Sequence, residues 1–243
     1  AGAEGNSLIL KENGTVWICG CDFSIDDESL PIQVPGLNEV VEVASGTAHF
    51  LARKSDGTVW AWGVNWSGQL GTGSSLNSMI PLQVPGITNA AHISAISSNS
   101  FAVLENGLVM AWGDNYSGQL CDDTTSNKSI PIQVPEINQV KTLCCDGNFT
   151  AFVKTNGSVE YFIKGSGWNS LSQLQNVKKL SLYNGNGLVL STNGNVQKFN
   201  ISNQQITLWE IPGITNMIDI SYMPQGTYYT VKENGDVFAW GDN

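Results

Sequence analysis

Asp56-Gly57-Thr58-Val59-Trp60-Ala61-Trp62-Gly63-Val64-Asn65-Trp66-Ser67-Gly68-Gln69-Leu70-Gly71 is the stretch that decides the fold. It opens on an Asp-Gly pair, the composition of a tight turn, and continues into a short run of β-branched and aromatic residues that fits a pleated strand. Residues 106–120, from Asn106-Gly107 through Trp112-Gly113 to Ser117-Gly118-Gln119-Leu120, repeat it 50 residues later.

Working outward, the same frame occurs six times, anchored on Asn13-Gly14, Asp56-Gly57, Asn106-Gly107, Asn156-Gly157, Asn193-Gly194 and Asn234-Gly235. Successive glycines stand 43, 50, 50, 37 and 41 residues apart, the length of one supersecondary unit. Two residues after the glycine every copy has valine: Val16, Val59, Val109, Val159, Val196 and Val237. Five residues after it stand Cys19, Trp62, Trp112, Phe162, Phe199 and Trp240. Apolar residues also alternate upstream of each pair, so every copy predicts a β-hairpin with a type I′ turn, in which both central residues take positive φ. Pro31 to Gly36, Pro81 to Gly86, Pro131 to Pro135 and the remnant Ile211-Pro212-Gly213 add a short strand. Its prolines cannot donate to a ladder, which puts it at a sheet edge. Strands at Val40–Ala44, Ala91–Ile96, Val140–Cys144, Lys179–Leu182 and Met217–Ile220 complete four-stranded units. The expectation is an all-β chain, a β-propeller of four-stranded antiparallel blades with six repeat hairpins. The first blade lacks a leading strand in this reading, and the last lacks a trailing one.

The quoted stretch and its echo from Asn106 to Leu120 resemble the repeat of the regulator of chromosome condensation (RCC1) family. Copies four and five have lost the Trp-Gly and Ser-Gly-Gln-Leu elements. No Trp-Asp dipeptide closes a blade as in WD40 repeats, and no Gly-Gly doublet recurs as in kelch repeats. The resemblance implies a seven-bladed ring, so residues 1–243 are expected to form a single RCC1-like propeller domain that is a segment of a longer chain, the alternative being a divergent, smaller or open propeller. It also implies binding to a small GTPase, with guanine nucleotide exchange as the activity of the founding member. The alternative implied by a similar secreted propeller is an inhibitor that blocks an extracellular enzyme through aromatic residues on its loop face.

Composition narrows the partner. The formal charge is −10, with only 11 Lys and Arg in 243 residues and no basic run. A phosphate backbone is bound by displacing counterions with such residues, so a nucleic-acid partner is not expected. The five cysteines, Cys19, Cys21, Cys121, Cys144 and Cys145, form no CxxC pair and have two histidines beside them, which argues for small apolar side chains rather than zinc ligands. No signal peptide and no apolar run of 18 residues stands in the sequence. Asn13, Asn65, Asn115, Asn127, Asn148, Asn156 and Asn200 each begin an Asn-x-Ser/Thr sequon, and two of them lie in tight turns, an awkward place for a glycan. A soluble, monomeric, cytoplasmic protein is expected, with delivery into another cell left open.

No motif assembles an active site: His-Glu-x-x-His, Gly-x-Ser-x-Gly, a phosphate-binding Gly-Lys-Ser/Thr loop and an EF-hand series are all missing. No catalytic residue, metal or cofactor is assigned. Asp26-Asp27-Glu28 and Asp122-Asp123 read as solvated loop carboxylates, and His49 as a local hydrogen-bonding residue. The expectation is a non-enzymatic scaffold that binds another protein through its loops, because blade interiors are used for packing. The residues assigned to partner binding are Thr47, Asn99, Asn148, Phe149, Gln225 and Tyr228, in loops leading into the hairpins, with Phe149 and Tyr228 as exposed anchors. Tyr229 is assigned to the core. Trp66 and Tyr116, just before Ser-Gly-Gln-Leu, are further candidates placed on the opposite rim.

Overall fold

A computed structural model of the chain describes residues 2–3, 6–20, 30–145, 150–163, 165–183, 185–202, 205–223 and 226–241. Cys21, the Asp26-Asp27-Glu28 run, Asn148, Phe149 and Gln225 lie outside the described residues. The chain divides into two compact units, residues 1–138 and 139–243. Every element is a strand among the described residues, and the strands form antiparallel sheets of the propeller-blade kind.

The first unit holds three sheets. One is β1 (Gly2–Ala3), β2 (Asn6–Leu10), β3 (Val16–Gly20) and β4 (Ile32–Gln33). The next is β5 (Val40–Ser45), β6 (His49–Lys54), β7 (Val59–Gly63) and β8 (Ser78–Gln83), and the third is β9 (Ala90–Ile96), β10 (Asn99–Leu104), β11 (Val109–Gly113) and β12 (Lys128–Gln133). The second unit continues with β13 (Val140–Cys145), β14 (Thr150–Lys154), β15 (Val159–Ile163) and β16 (Gly167–Ser170), then β17 (Val177–Tyr183), β18 (Asn186–Ser191), β19 (Val196–Ser202) and β20 (Gln205–Glu210). Its last sheet has three strands, β21 (Met217–Met223), β22 (Thr227–Lys232) and β23 (Val237–Trp240). The missing trailing strand was expected. The missing leading strand was not borne out, because β1 pairs with β2 through Gly2–Ser7 and Ala3–Asn6.

The hairpin turns depart from the type I′ expectation. Positive φ occurs at each turn glycine but not at the Asn or Asp before it. In the first copy Gly14 N–H donates to Lys11 O and Lys11 N–H to Thr15 O, and the other five copies repeat both bonds. This is a three-residue loop, a type I turn followed by a left-handed glycine. The side chain explains the choice. Asn13, Asp56, Asn106, Asn156, Asn193 and Asn234 each accept the backbone N–H two residues on, which holds that residue in the right-handed region while glycine alone takes the left-handed one.

Within each unit a sheet packs its valine-bearing face on the next sheet. Leu51, Val59 and Ala61 of the second sheet meet Ile93, Ala102 and Trp112 of the third. Likewise Val153 and Val159 meet Leu180, Val189 and Phe199. Burying each valine contributes about 1.5 kcal/mol or more relative to exposure. Val16, Val59, Val109, Val159 and Val196 are all buried, but Val237, on the last sheet, is 64% exposed, so the expectation of six packed valines fails there. Trp240 beside it is only half-buried, unlike Trp62 and Trp112. Polar side chains also join neighbouring sheets: Glu42 on β5 accepts from Arg53 Nε at 2.8 Å and pairs with His92 Nδ1 on β9. Burial works to raise the Glu42 pKa, yet His92 and Arg53 outweigh it and hold the carboxyl below its usual value.

Candidate partner-binding rim

Strands that alternate in direction put the β5–β6 and β7–β8 connections at the same end of a sheet. The backbone shows the closeness directly, with Val64 N–H donating to Ala48 O and, one sheet on, Asp114 N–H to Ser98 O. Trp66 and Tyr116 therefore share a rim with Thr47 and the other hairpin-leading loops of this unit. Their expected place on the opposite rim is corrected, for the simple reason that two strand reversals separate them from those loops.

The loop that carries Trp66 is built around the fully buried Asn65. Its Nδ2 donates to the carbonyls of Ser74 and Leu76 at 2.9 and 3.0 Å, and its Oδ1 accepts Leu70 N–H at 2.9 Å. Ser67 N–H donates to Gln69 Oε1 at 2.9 Å. Gly68 has φ +83° and lies so near Ser129 of β12 that a Cβ there would stand 2.6 Å from the Ser129 Cα. Asn115 repeats the arrangement, with Oδ1 accepting from Leu120 and Nδ2 donating to Asp122 Oδ1 and Thr124 O. Burial works to raise the Asp122 pKa, but Lys128, Asn115 and Thr124 outweigh it and hold the carboxyl at about 2.

A buried chain anchors the first loop to the next sheet. Ser100 Oγ and Trp112 Nε1 both donate to Gln69 O, at 2.8 and 2.9 Å. Since the hydroxyl proton is committed there, Ser100 Oγ accepts from His49 Nε2 at 2.8 Å, which fixes the histidine tautomer. Complete burial drives the His49 pKa down to about 4 against the opposing pull of the Asn99 backbone, so the ring is neutral at pH 7. His49 is thus a structural hydrogen-bonding residue.

Outside this framework Trp66 is 78% exposed and Tyr116 84% exposed, with Leu76 also exposed in the first loop. A rigidly held loop bearing an exposed aromatic loses little conformational entropy when a partner covers that ring. The sequence reading did not single out Leu76, because an isolated leucine in a polar loop carries no periodic signal. Thr47 is exposed as expected. Asn99 is fully buried at the start of β10, with Nδ2 bonded to Asp114 O, and offers no side chain to a partner. Tyr228 is not an exposed anchor: it is 6% exposed, stacked on Tyr222 and Trp240 at 4.8 and 5.5 Å between ring centroids. Tyr229 takes the opposite face and is the more open of the two. No grouping of His, Cys, Asp or Glu that could hold a metal occurs among the described residues.

Comparison with known proteins agrees with this geometry. The family description "Regulator of chromosome condensation (RCC1) repeat" matches residues 56–103 and 106–153, and a second model of the same description matches 40–69 and 91–119. Protein pim1 of Schizosaccharomyces pombe is 34% identical over 95 residues, a match covering 30% of this chain and 18% of pim1. Human WBSCR16 superposes with a TM-score of 0.74 at 17% identity, over 90% of this chain and 68% of that one. A chain in the structure of Kap60 bound to yeast RCC1 (Prp20) gives 0.70 at 18% identity, over 87% of this chain and 58% of that one. Prp20p from Saccharomyces cerevisiae, described with its binding to Gsp1p and histones, gives 0.67 at 18%, over 83% and 57%. At these identities the structural likeness establishes the fold.

Proposed function

Residues 56–153 of this chain are RCC1 repeats, and we propose that they serve a non-enzymatic binding role in which one protein partner, a small GTPase, docks on the rim that presents Trp66 and Tyr116. The observation that carries this reading is the pair of exposed aromatics on two equivalent, hydrogen-bonded loops. Exposed aromatic side chains on rigid supports are the usual centres of interface binding energy. Charge supports the partner's chemistry. Residues 1–138 carry 14 acidic and 4 basic side chains, whereas residues 139–243 carry 7 of each, so the whole net charge of −10 belongs to the first unit. A partner surface rich in Lys and Arg would be steered toward it. Prp20p is described with binding to both Gsp1p and histones, which supports a protein partner for this fold, and a small GTPase is the one proposed for this chain. A reducing, cytoplasmic setting fits the same reading.

The inhibitor reading rests on the same two aromatics and predicts a different partner. Immobilised chain titrated with purified small GTPases, nucleotide-free and nucleotide-loaded, and with secreted hydrolases decides between them. Saturable binding of a GTPase that Trp66→Ala with Tyr116→Ala weakens by about thirtyfold or more is the expected result. Binding of a hydrolase alone, or a GTPase held equally well by the double variant, overturns it.

A further inference from the structure

The outer strands of the four-stranded sheets differ in how well they refuse a further strand. β4 spans two residues and β16 four. β8 and β12 each hold a proline, Pro81 and Pro131, and each breaks register against its neighbour, between Ala61 and Gly63 and between Ala111 and Gly113. On β8 the Ser78 hydroxyl also donates to Ile80 O at 2.7 Å. Short length, proline and bulges are the devices by which an exposed edge avoids pairing with another chain.

β20 carries none of them. It runs for six residues, Gln205–Glu210, and pairs with β19 in unbroken register from Gln197–Glu210 to Ser202–Gln205. Its other edge has no strand beside it among the described residues, so alternate residues direct their N–H and C=O groups outward. Gln-Ile-Thr-Leu-Trp-Glu contains no proline, Lys or Arg and is rich in residues that favour strands. Ile206 and Leu208 pack inward on the cluster that holds Val189 and Phe199. Thr207 and Trp209 share the other face and are exposed, Trp209 at 47%. The charges beside them are occupied: Lys198, opposite Trp209, places Nζ 4.9 Å over the Tyr228 ring, and Gln197 Nε2 donates to Glu210 at 2.7 Å.

We infer that the outer edge of β20 is the contact through which two copies of this chain pair, strand to strand and antiparallel about a two-fold axis at Leu208. In that register Leu208 meets Leu208 of the second copy, and each Trp209 lies opposite the other copy's Thr207, a pairing of an aromatic with a β-branched side chain that stabilises antiparallel strands. Glu210 then stands opposite Ile206, which keeps the two carboxylates apart. The edge is its own complement, as a two-fold interface requires. Charge favours a second copy over an acidic or a basic partner, because residues 139–243 carry 7 acidic and 7 basic side chains and the excess of acid is confined to residues 1–138. The contact uses none of the residues of the Trp66 and Tyr116 rim. Being one strand long, it makes a reversible dimer rather than a permanent one.

Sedimentation velocity of the chain from about 1 μM to about 1 mM, with amide hydrogen exchange at both ends of that range, tests the pairing. A sedimentation coefficient that rises with concentration toward that of a dimer, with new protection at residues 205–210, is expected. Thr207→Lys and Trp209→Glu should each raise the dimer dissociation constant by about tenfold or more with an unchanged circular dichroism spectrum, because both side chains are exposed. Trp66→Ala with Tyr116→Ala should leave the constant as it is. A chain that stays monomeric across the range, self-association without protection at residues 205–210, or a dimer that survives Thr207→Lys and Trp209→Glu but not the rim variant overturns the inference.

Discussion

Comparing Gly57→Ala with Gly235→Ala isolates the cost of docking one blade against the next. Both glycines sit at positive φ, +79° and +89°, where a side chain costs about 1–2 kcal/mol whatever surrounds it. At Gly57 the added Cβ would also stand 2.7 Å from Thr88 O and 2.9 Å from Asn89 Cα. Both atoms are backbone, so the lead-in to β9 must move, an overpacking cost of about 1–3 kcal/mol. At Gly235 the Cβ meets nothing within 4 Å. The difference between the variants is therefore about 2 kcal/mol, or a melting temperature about 4–8 °C lower for Gly57→Ala in a chain of this size. Thermal unfolding followed by far-UV circular dichroism reads it. Equal melting temperatures would refute the claim that the turn glycines are contact points between sheets.

Trp66→Ala with Tyr116→Ala should leave the melting temperature unchanged and weaken the partner by about 2 kcal/mol or more, measured by calorimetric titration. Asn65→Ala removes three buried hydrogen bonds and should destabilise by about 2–4 kcal/mol, with faster hydrogen exchange across residues 65–77. The His49 pKa near 4 makes stability pH-dependent in a defined sense. Between pH 6.5 and 4 the unfolded chain binds a proton that the folded chain refuses, so up to about 3 kcal/mol is lost as the pH falls through that window and none above it. Urea titrations across the window, with His49→Gln showing a flatter profile, check the assignment.

The hairpins, the edge prolines and the valine column were legible because turn composition and period-2 alternation are local properties. The turn type was not, since Asn-Gly and Asp-Gly suit both a two-residue turn and a three-residue turn with a bulge, and only the geometry of the Asx side chain decides. Tyr228 and Tyr229 were misassigned for a different reason. In the earlier copies the second strand is buried on both faces, as at Phe50 and Leu51, so alternation there does not mark which side faces water. Which tyrosine is covered depends on a neighbouring sheet being present on one side only, and a single strand does not reveal that. The shared rim of Trp66 and Thr47 was available by counting strand reversals. The His49–Ser100–Gln69 chain was not, because it joins residues 51 and 31 positions apart.

Asn65 and Asn115 bear on how this protein can be made. Each is the acceptor position of an Asn-x-Ser sequon, and each side chain is fully buried, its amide nitrogen committed to carbonyls of its own loop. Oligosaccharide transfer acts on that nitrogen while the chain is still unfolded. A host that routes the chain through a glycosylating compartment would thus place a sugar where no space exists and remove the donor that shapes the loop. Bacterial cytoplasmic expression avoids this, and yield from a secretory yeast should recover only when both Ser67 and Ser117 are replaced by alanine.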